Sequence, residues 1–487
     1  MTSTAPPGLL LAVWLLVLLG CARGAESAAG AEGAAGAGGA AGTGGAAGAS
    51  HTLAEPPPDL RTRTTGSDWP GFLGPHREPR SDETGILRDW PAAGPDVVWD
   101  VAAGEGYSMP SVGRGRLFLF DRVGDRARLR ALESETGEQL WSSDYPTEYE
   151  DAFGYSNGPR AAPLVDGDRV YVHGADGKLR CHRVVDGAVL WERDLEPEYG
   201  IVTNFFGAAS TPLVWGDLLL VVVGGSPPGD YDVHQGRVIP NGTGMVAFDK
   251  LTGEERWRSV DELSSYSSPL LRTLHGEDRV VWLARGGLVL LEPGSGAVDL
   301  QVPFRARKVY SVNGATPIVR GGEIFLTESY ELGGRLLRIA RDRRSAEEVW
   351  RDPRARRDQA MATHWMTPAE QDGILYGSSG ENSGDAKLNA VEWSTGRIRW
   401  SKPGLNRSTV LLVDRHLVVL TEYGKLLLVE ATPEEYREKA QVELRGNVDG
   451  EDRPLIRFPA WQAPILAHGL LYLRGKDRLV ALQLIPD

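Results

Sequence analysis

Only two cysteines, Cys21 and Cys181, occur in 487 residues, so no disulfide framework holds this chain together. Basic residues are in the minority, 53 Lys and Arg against 66 Asp and Glu, and the net charge is −13. That balance excludes the basic footprint by which proteins neutralise nucleic-acid phosphates. The nine histidines are dispersed, and no pair stands at metal-ligand spacing, so no zinc or iron site is assigned. Sustained helical periodicity is almost wholly missing. Long apolar runs are scarce as well: Leu9–Gly20 (LLLAVWLLVLLG) has twelve residues, too short to span a bilayer and right for a signal-peptide core.

That run ends in Leu18-Leu19-Gly20-Cys21, which looks like a bacterial lipobox and makes Cys21 the candidate lipidated first residue. The segment before it carries no Lys or Arg, a departure from the usual signal, so plain cleavage without lipidation stays open. Ala22, rather than Asp, follows Cys21, which leans towards the outer membrane. From Ala22 to Gly66 the chain is Ala, Gly, Ser, Thr and then Pro. Such a composition buries too little apolar surface to offset its ordering entropy and predicts a flexible linker. An anchored protein follows, secreted to the bacterial cell envelope and held to the membrane by lipid.

What the chain has in abundance is glycine and tryptophan, 60 and 14 residues, arranged in a repeat of about fifty residues. Ala131–Trp141 reads ALESETGEQLW, Cys181–Trp191 CHRVVDGAVLW, Ala247–Trp257 AFDKLTGEERW, Ala340–Trp350 ARDRRSAEEVW and Ala390–Trp400 AVEWSTGRIRW. A further copy, Leu290–Leu300, keeps the Gly and puts Leu300 where Trp is expected, which predicts a weaker seam there. Each repeat holds four short strands, with Thr-Gly at the last hairpin and an Asx turn on residues such as Asp249. Many four-stranded repeats predict an all-β fold, an eight-bladed β-propeller. The inner strands open at Pro110, Pro163, Pro212, Pro269, Pro317, Pro368, Val410 and Pro464. The last copy lacks its fourth strand, and Asp96–Val101, with Trp99, is a spare one, so an N-terminal strand closes the ring and removes the open edge. The organisation expected is a signal peptide over 1–21, a linker over 22–66, an extension packing on the propeller over 67–95, and the propeller over 96–487. Trp99, Trp141, Trp191, Trp257, Trp350 and Trp400 are its structural docking residues.

These repeats resemble the tryptophan-docking motif A-x-D-x-x-T-G-x-x-x-W of quinoprotein-type propellers. The chain is similar to the PQQ-binding-like β-propeller repeat proteins common in planctomycete-type bacteria, over roughly Asp68 to Pro486. DWPGFLGP (Asp68–Pro75), Gly446–Leu466 and His468–Pro486 carry that likeness. The resemblance implies one of two activities: a PQQ-dependent alcohol or polyol dehydrogenase, with PQQ and Ca²⁺ in the channel mouth, or a non-catalytic lipoprotein of outer-membrane assembly. Against the first stand the missing adjacent cysteines, the missing C-x-x-C-H haem site, and no Ca²⁺ or base motif that can be transferred to named residues. Cys181 sits where sister repeats have Ala and reads as a buried small group.

Three residues before each inner strand stand Tyr107, Arg160, Ala209, Tyr266, Gly314, Trp365, Arg407 and Trp461, with Asn157, Asn313 and His364 close by. Inner strands line a propeller's channel, so these side chains are expected to gather at one mouth as an aromatic, anion-tolerant rim. Inter-blade packing of the same aromatics is the alternative. Asp230–His234 and the eight arginines of Arg338–Arg357 read as solvated surface, and the insertion Gly224–Gly244, between strands two and three of blade three, is long enough to cover one face of the disc. The reading is a binding or scaffolding monomer that meets envelope proteins or a small ligand, including carbohydrate or peptide, at the channel mouth. No cofactor is assigned beyond PQQ with Ca²⁺ on the dehydrogenase alternative.

Overall fold

A computed structural model describes residues 56–486 apart from 203–204, 228, 230, 233–236, 310 and 312. The signal run, Cys21 and the linker up to residue 55 lie outside the described residues.

Eight four-stranded antiparallel blades follow one another along the chain. Their inner strands are Ser111–Gly113, Leu164–Asp166, Leu213–Trp215, Leu270–Leu274, Ile318–Arg320, Ala369–Gln371, Ser408–Val413 and Ile465–Ala467. Seven of them begin one residue after the expected proline, whose missing N–H stops the ladder there. Blade seven has no such proline, and its inner strand starts two residues before Val410, with Ser408 paired to Thr421. The ring is closed by Val97–Ala102, which pairs antiparallel with Arg478–Gln483 as the fourth strand of blade eight. Trp99 stands opposite Ala481 there, as Trp141, Trp191, Trp257 and Trp400 stand opposite Ala131, Cys181, Ala247 and Ala390.

The geometry explains the spacing of the repeat. Each docking tryptophan lies over the hairpin of the next blade, and the indole rests on the hairpin glycine, except for Trp400, whose hairpin in blade seven has none. A Cβ at Gly137 would come 2.8 Å from Trp99, at Gly253 2.8 Å from Trp191, and at Gly396 2.6 Å from Trp350. Trp99, Trp141, Trp191, Trp350 and Trp400 donate Nε1–H to carbonyls of Ser134, Val184, Lys250, Trp393 and Thr432. Trp257 docks on Gly296 without such a bond. Asp249 accepts from the amides of Leu251 and Thr252, both at 2.9 Å, and so fixes the turn that carries Gly253.

Blade five departs from the expected register. Trp350 faces Leu336 rather than Ala340, because its last hairpin runs on to Ile339–Ala346 and Ala340 falls in the turn. Its predecessor offers Leu300 instead of an indole, so the turn needs no glycine, and Arg343 takes the left-handed position at φ 60°. Arg343 meets Asp299 at 3.1 Å and Glu277 at 2.8 Å, and Arg279 meets the same two carboxylates at 2.5 and 2.6 Å. Ion pairs therefore fill the seam that Leu300 leaves open. Other arginines of the basic stretch are also answered, Arg338 by Glu323 and Arg356 by Asp385.

Where a linker was expected to reach Gly66, Pro57 and Pro58 already accept from Arg114 and Arg116 on blade one. The chain next crosses the channel. Trp69 pairs with Val112 of blade one, Pro70 accepts from Val165 of blade two, and Arg77 donates to Pro212 of blade three. Arg80–Ser81 then adds a parallel strand to the inner edge of blade seven. Trp69 is almost fully buried. In the blade-three insertion, Tyr231–Asp232 pairs with Arg237–Val238 as a two-stranded ribbon.

Candidate binding site at the mouth of the channel

All eight residues that stand three positions before the opening of an inner strand converge on one cavity of about 290 Å³. Its walls come from the inner strand of blade seven, with Thr409 and Val410, and from residues just before other inner strands, among them Met109, Ser268 and Thr367, while the crossing segment supplies Phe72 and Leu73 as its floor. Leu73 reaches it from a left-handed backbone at φ 58°. The result is a cup, open at the rim and closed below.

The rim is a chain of rings. Tyr330 contacts His364 at 5.1 Å, His364 contacts Trp365 at 4.9 Å, and Trp365 contacts Trp461 at 4.9 Å. Trp461 meets Tyr107 at 4.9 Å and Tyr155 at 5.7 Å, Tyr155 meets Phe206 at 6.0 Å, and Phe206 meets Tyr266 at 5.6 Å. Tilted and edge-on rings at these separations attract beyond their buried area. Trp365 donates its indole N–H to Trp461 O at 3.1 Å, and the Phe206 amide donates to Tyr266 Oη at 2.7 Å. Burial pushes the Tyr107 hydroxyl up to about 12.

Both rim arginines are already answered. Arg407 lies 4.7 Å from the Trp365 ring and 5.5 Å from Trp461, and donates through Nε and Nη2 to Glu422 Oε2 at 3.1 and 2.7 Å. Against burial, hydrogen bonds from Arg407 and Ser383 hold Glu422 below the usual carboxylate range. Arg160, 5.7 Å over Tyr107, pairs with the buried Asp151 at 2.7 Å. The expected anion-tolerant character is thereby spent within the protein. Asn313 does not belong to the cup: it is buried behind the wall and donates to Ala284 O at 2.7 Å and Phe304 O at 3.0 Å, a strut between segments. Asn157 likewise serves the Asp151 loop, accepting from its amide at 2.8 Å.

Sequence reasoning missed Tyr155, Phe206, Tyr330, Gln462 and above all Glu328. Glu328 ends the second strand of blade five in Leu-Thr-Glu, as Glu422 follows the second strand of blade seven in Leu-Thr-Glu. The residue that answers Glu422 is Arg407, and its counterpart in blade five is Gly314. The signal was therefore a repeated Glu whose partner position holds Arg once and Gly once. Glu328 lines the cup, is 1% exposed, and has Oε2 without a partner, while Ser311 reaches Oε1 at 3.4 Å. Burial raises its carboxyl to about 8, with the Ser311 hydroxyl and the Asn313 amide opposing and Glu381 adding. His364 goes the other way, lowered to about 3 by burial and then by Arg407. Its ring is neutral at pH 7, bonded at Nε2 to Tyr330 Oη at 2.6 Å and without a partner at Nδ1.

Residues 87–243 and 207–402 match the family model described as outer membrane protein assembly factor BamB, and together these spans exceed half of the chain. The chain belongs to this family. It is 25% identical over 386 residues to the outer membrane protein assembly factor BamB of Shewanella oneidensis, covering 69% of this chain and 89% of that one. Among solved structures it is similar to BamB from Moraxella catarrhalis, with a TM-score of 0.52 at 13% identity over 80% of this chain and 97% of that one. It is also similar to quinohemoprotein alcohol dehydrogenase from Comamonas testosteroni, with a TM-score of 0.60 at 12% identity over 85% and 80%. At those identities the likeness is one of fold, and the propeller is common to both branches of the family's wider kin.

The cup does not fit PQQ with Ca²⁺. Among the described residues no group of three or more His, Cys, Asp or Glu side chains could hold a metal ion. Glu328 is the one carboxyl among the described residues of the cup's lining, and the two arginines are bound to carboxylates of their own. Cys181 is buried in blade two opposite Trp191, its thiol pushed up to about 12 by burial, and lies outside the cup's lining.

Proposed function

We propose that the protein is a non-catalytic scaffold of the bacterial cell envelope that serves outer-membrane protein assembly. The observation that carries this reading is the family match together with a relative named for that role, spanned over 89% of its length. The two arginines of the cup support it, since each is paired with a carboxylate of the protein's own. Lipidation of Cys21 anchors the scaffold, and the Ala/Gly-rich linker lets the disc stand off the membrane surface.

Two measurements on the producing bacterium test this. Deleting the gene is expected to lower the density of folded β-barrel proteins in the outer membrane, and unchanged levels would count against the role. Cys21→Ser is expected to leave the protein soluble on fractionation; continued membrane retention after salt and carbonate washing would refute the anchor. For the quinoprotein alternative, purified protein with added PQQ and Ca²⁺ is expected to reduce no dye with a panel of alcohols, and turnover would replace the scaffold reading.

A further inference from the structure

Four aromatic side chains stand exposed at the mouth: Tyr155 (58%) on the rim itself, and Phe153 (51%), Tyr423 (56%) and Phe458 (44%) just outside it. They are continuous with the rim. Phe153 contacts Phe206 at 5.5 Å, Phe458 contacts Trp461 at 6.0 Å, and Tyr423 stacks on Phe458 at 5.0 Å. Exposed aromatics in one contiguous patch mark an interaction surface, and such rings are enriched at the centres of protein interfaces. A free small molecule would be enclosed by the cup and leave Phe153, Tyr423 and Phe458 wet. A polypeptide crossing the mouth would cover them.

Inside, the cup is apolar with a few unanswered polar atoms. Gln462 donates Nε2–H to Gly106 O at 3.3 Å, which leaves its Oε1 as a buried acceptor without a donor. A charged guest would have to be desolvated among groups that are neutral or already paired. An indole or a phenol matches better, having an apolar, flat body and one hydrogen-bond donor.

We infer that the cup receives a tryptophan or tyrosine side chain of a partner polypeptide, whose flanking backbone lies across Phe153, Tyr155, Tyr423 and Phe458. The inference rests on the scaffold reading and gives it a contact point: one aromatic anchor in a pocket, ringed by rim contacts that exclude water.

Calorimetric titration of the full-length protein with end-blocked Gly-Gly-X-Gly-Gly peptides tests it. Peptides with X = Trp or Tyr are expected to bind, and those with Leu or Lys to bind about tenfold more weakly or not at all. Ala209→Leu, which places a side chain inside the cup, is expected to weaken the Trp peptide about tenfold. Tyr423→Ser, an exposed change outside the cup's lining, is expected to weaken the pentapeptide and spare N-acetyltryptophanamide. The inference is overturned if the Trp peptide gives only heats of dilution, if Ala209→Leu in a folded variant changes nothing, or if the lysine peptide binds as well. It is overturned too if the lone amide binds as tightly as the pentapeptide, which would make the cup a small-molecule site. Failure here with outer-membrane protein levels still dependent on the gene would leave the scaffold standing on another face.

Discussion

The docking glycines offer the sharpest test of the fold, because adding one methyl group should break a seam. Gly253 holds φ +74°, and a Cβ there would lie 2.8 Å from Cδ2 and Cε3 of Trp191, well inside ordinary carbon contact. Gly216, in an earlier turn of the same blade, holds φ +56° with nothing within 4 Å of an added Cβ. Gly216→Ala should therefore meet backbone strain alone, about 1–2 kcal/mol for an L-residue in the left-handed region. Gly253→Ala should meet the same strain plus the displacement of a nearly buried indole, which for overpacked sites is typically about 1–3 kcal/mol. Displacing the indole also loosens its bond to Lys250 O, at 3.1 Å in the native seam. Chemical denaturation followed by circular dichroism should place the Gly253→Ala midpoint clearly below that of Gly216→Ala. In the Trp191→Ala background, where the indole is gone, the two glycine substitutions should cost alike, a coupling that a double-mutant cycle reads directly. Equal midpoints for the two single variants in the native background would refute the docking geometry.

Further outcomes follow from other seams. Asp299→Ala removes one of the two carboxylates that Arg279 and Arg343 share, the more buried one; it should cost about 1–3 kcal/mol, and a thermal midpoint unchanged at low salt would show that the Asp299 pairs do not hold the seam. Glu328 carries a folded-state value of about 8 against an ordinary 4.5. The native state therefore holds a proton that the unfolded chain has released between those values, and this contribution is complete below about 4.5 and lost as pH rises through about 8. Glu328→Gln should flatten the decline in stability between pH 5 and 9, and an identical pH profile would contradict the buried, protonated assignment. Removing residues 1–55 should leave the melting transition unchanged, removing 1–95 should lower it by exposing the cradle of Trp69, and removing 1–104 should abolish cooperative unfolding by stripping blade eight of Val97–Ala102. Equal transitions for the last two would sink the closure.

Much of this architecture was legible in the chain because the repeat couples local chemistry to packing. Thr-Gly, a small residue and Trp at fixed spacing specify a turn, a gap and the ring that fills it, so blade number and closure followed from counting. Blade five was misaligned for a physical reason: once Leu300 replaced the indole, neither the glycine nor the hairpin length remained constrained, and Arg343 with Asp299 took over the seam. The rim was found through position, since the residue three places before the opening of an inner strand faces the mouth. Asn313 shows the limit of that rule, because a neighbour one residue away turns behind the wall. Glu328 was hidden for a different reason. Its meaning lies in the lack of a cation that Glu422 possesses, and this relation appears only when two blades are laid in register. The crossing segment Trp69–Ser81 has no periodicity at all, and its place across the channel is set by edges that blades one, two and seven leave open.

The scaffold reading is tested most directly by cross-linking the full-length protein in the membranes of the bacterium that makes it and isolating it under denaturing conditions. The account predicts that an outer-membrane protein-assembly component is recovered in near-stoichiometric yield, and that Tyr155→Ser lowers the yield while leaving the protein's abundance unchanged. Recovery of the protein without any such component, at full abundance and with lipid anchor intact, would contradict it.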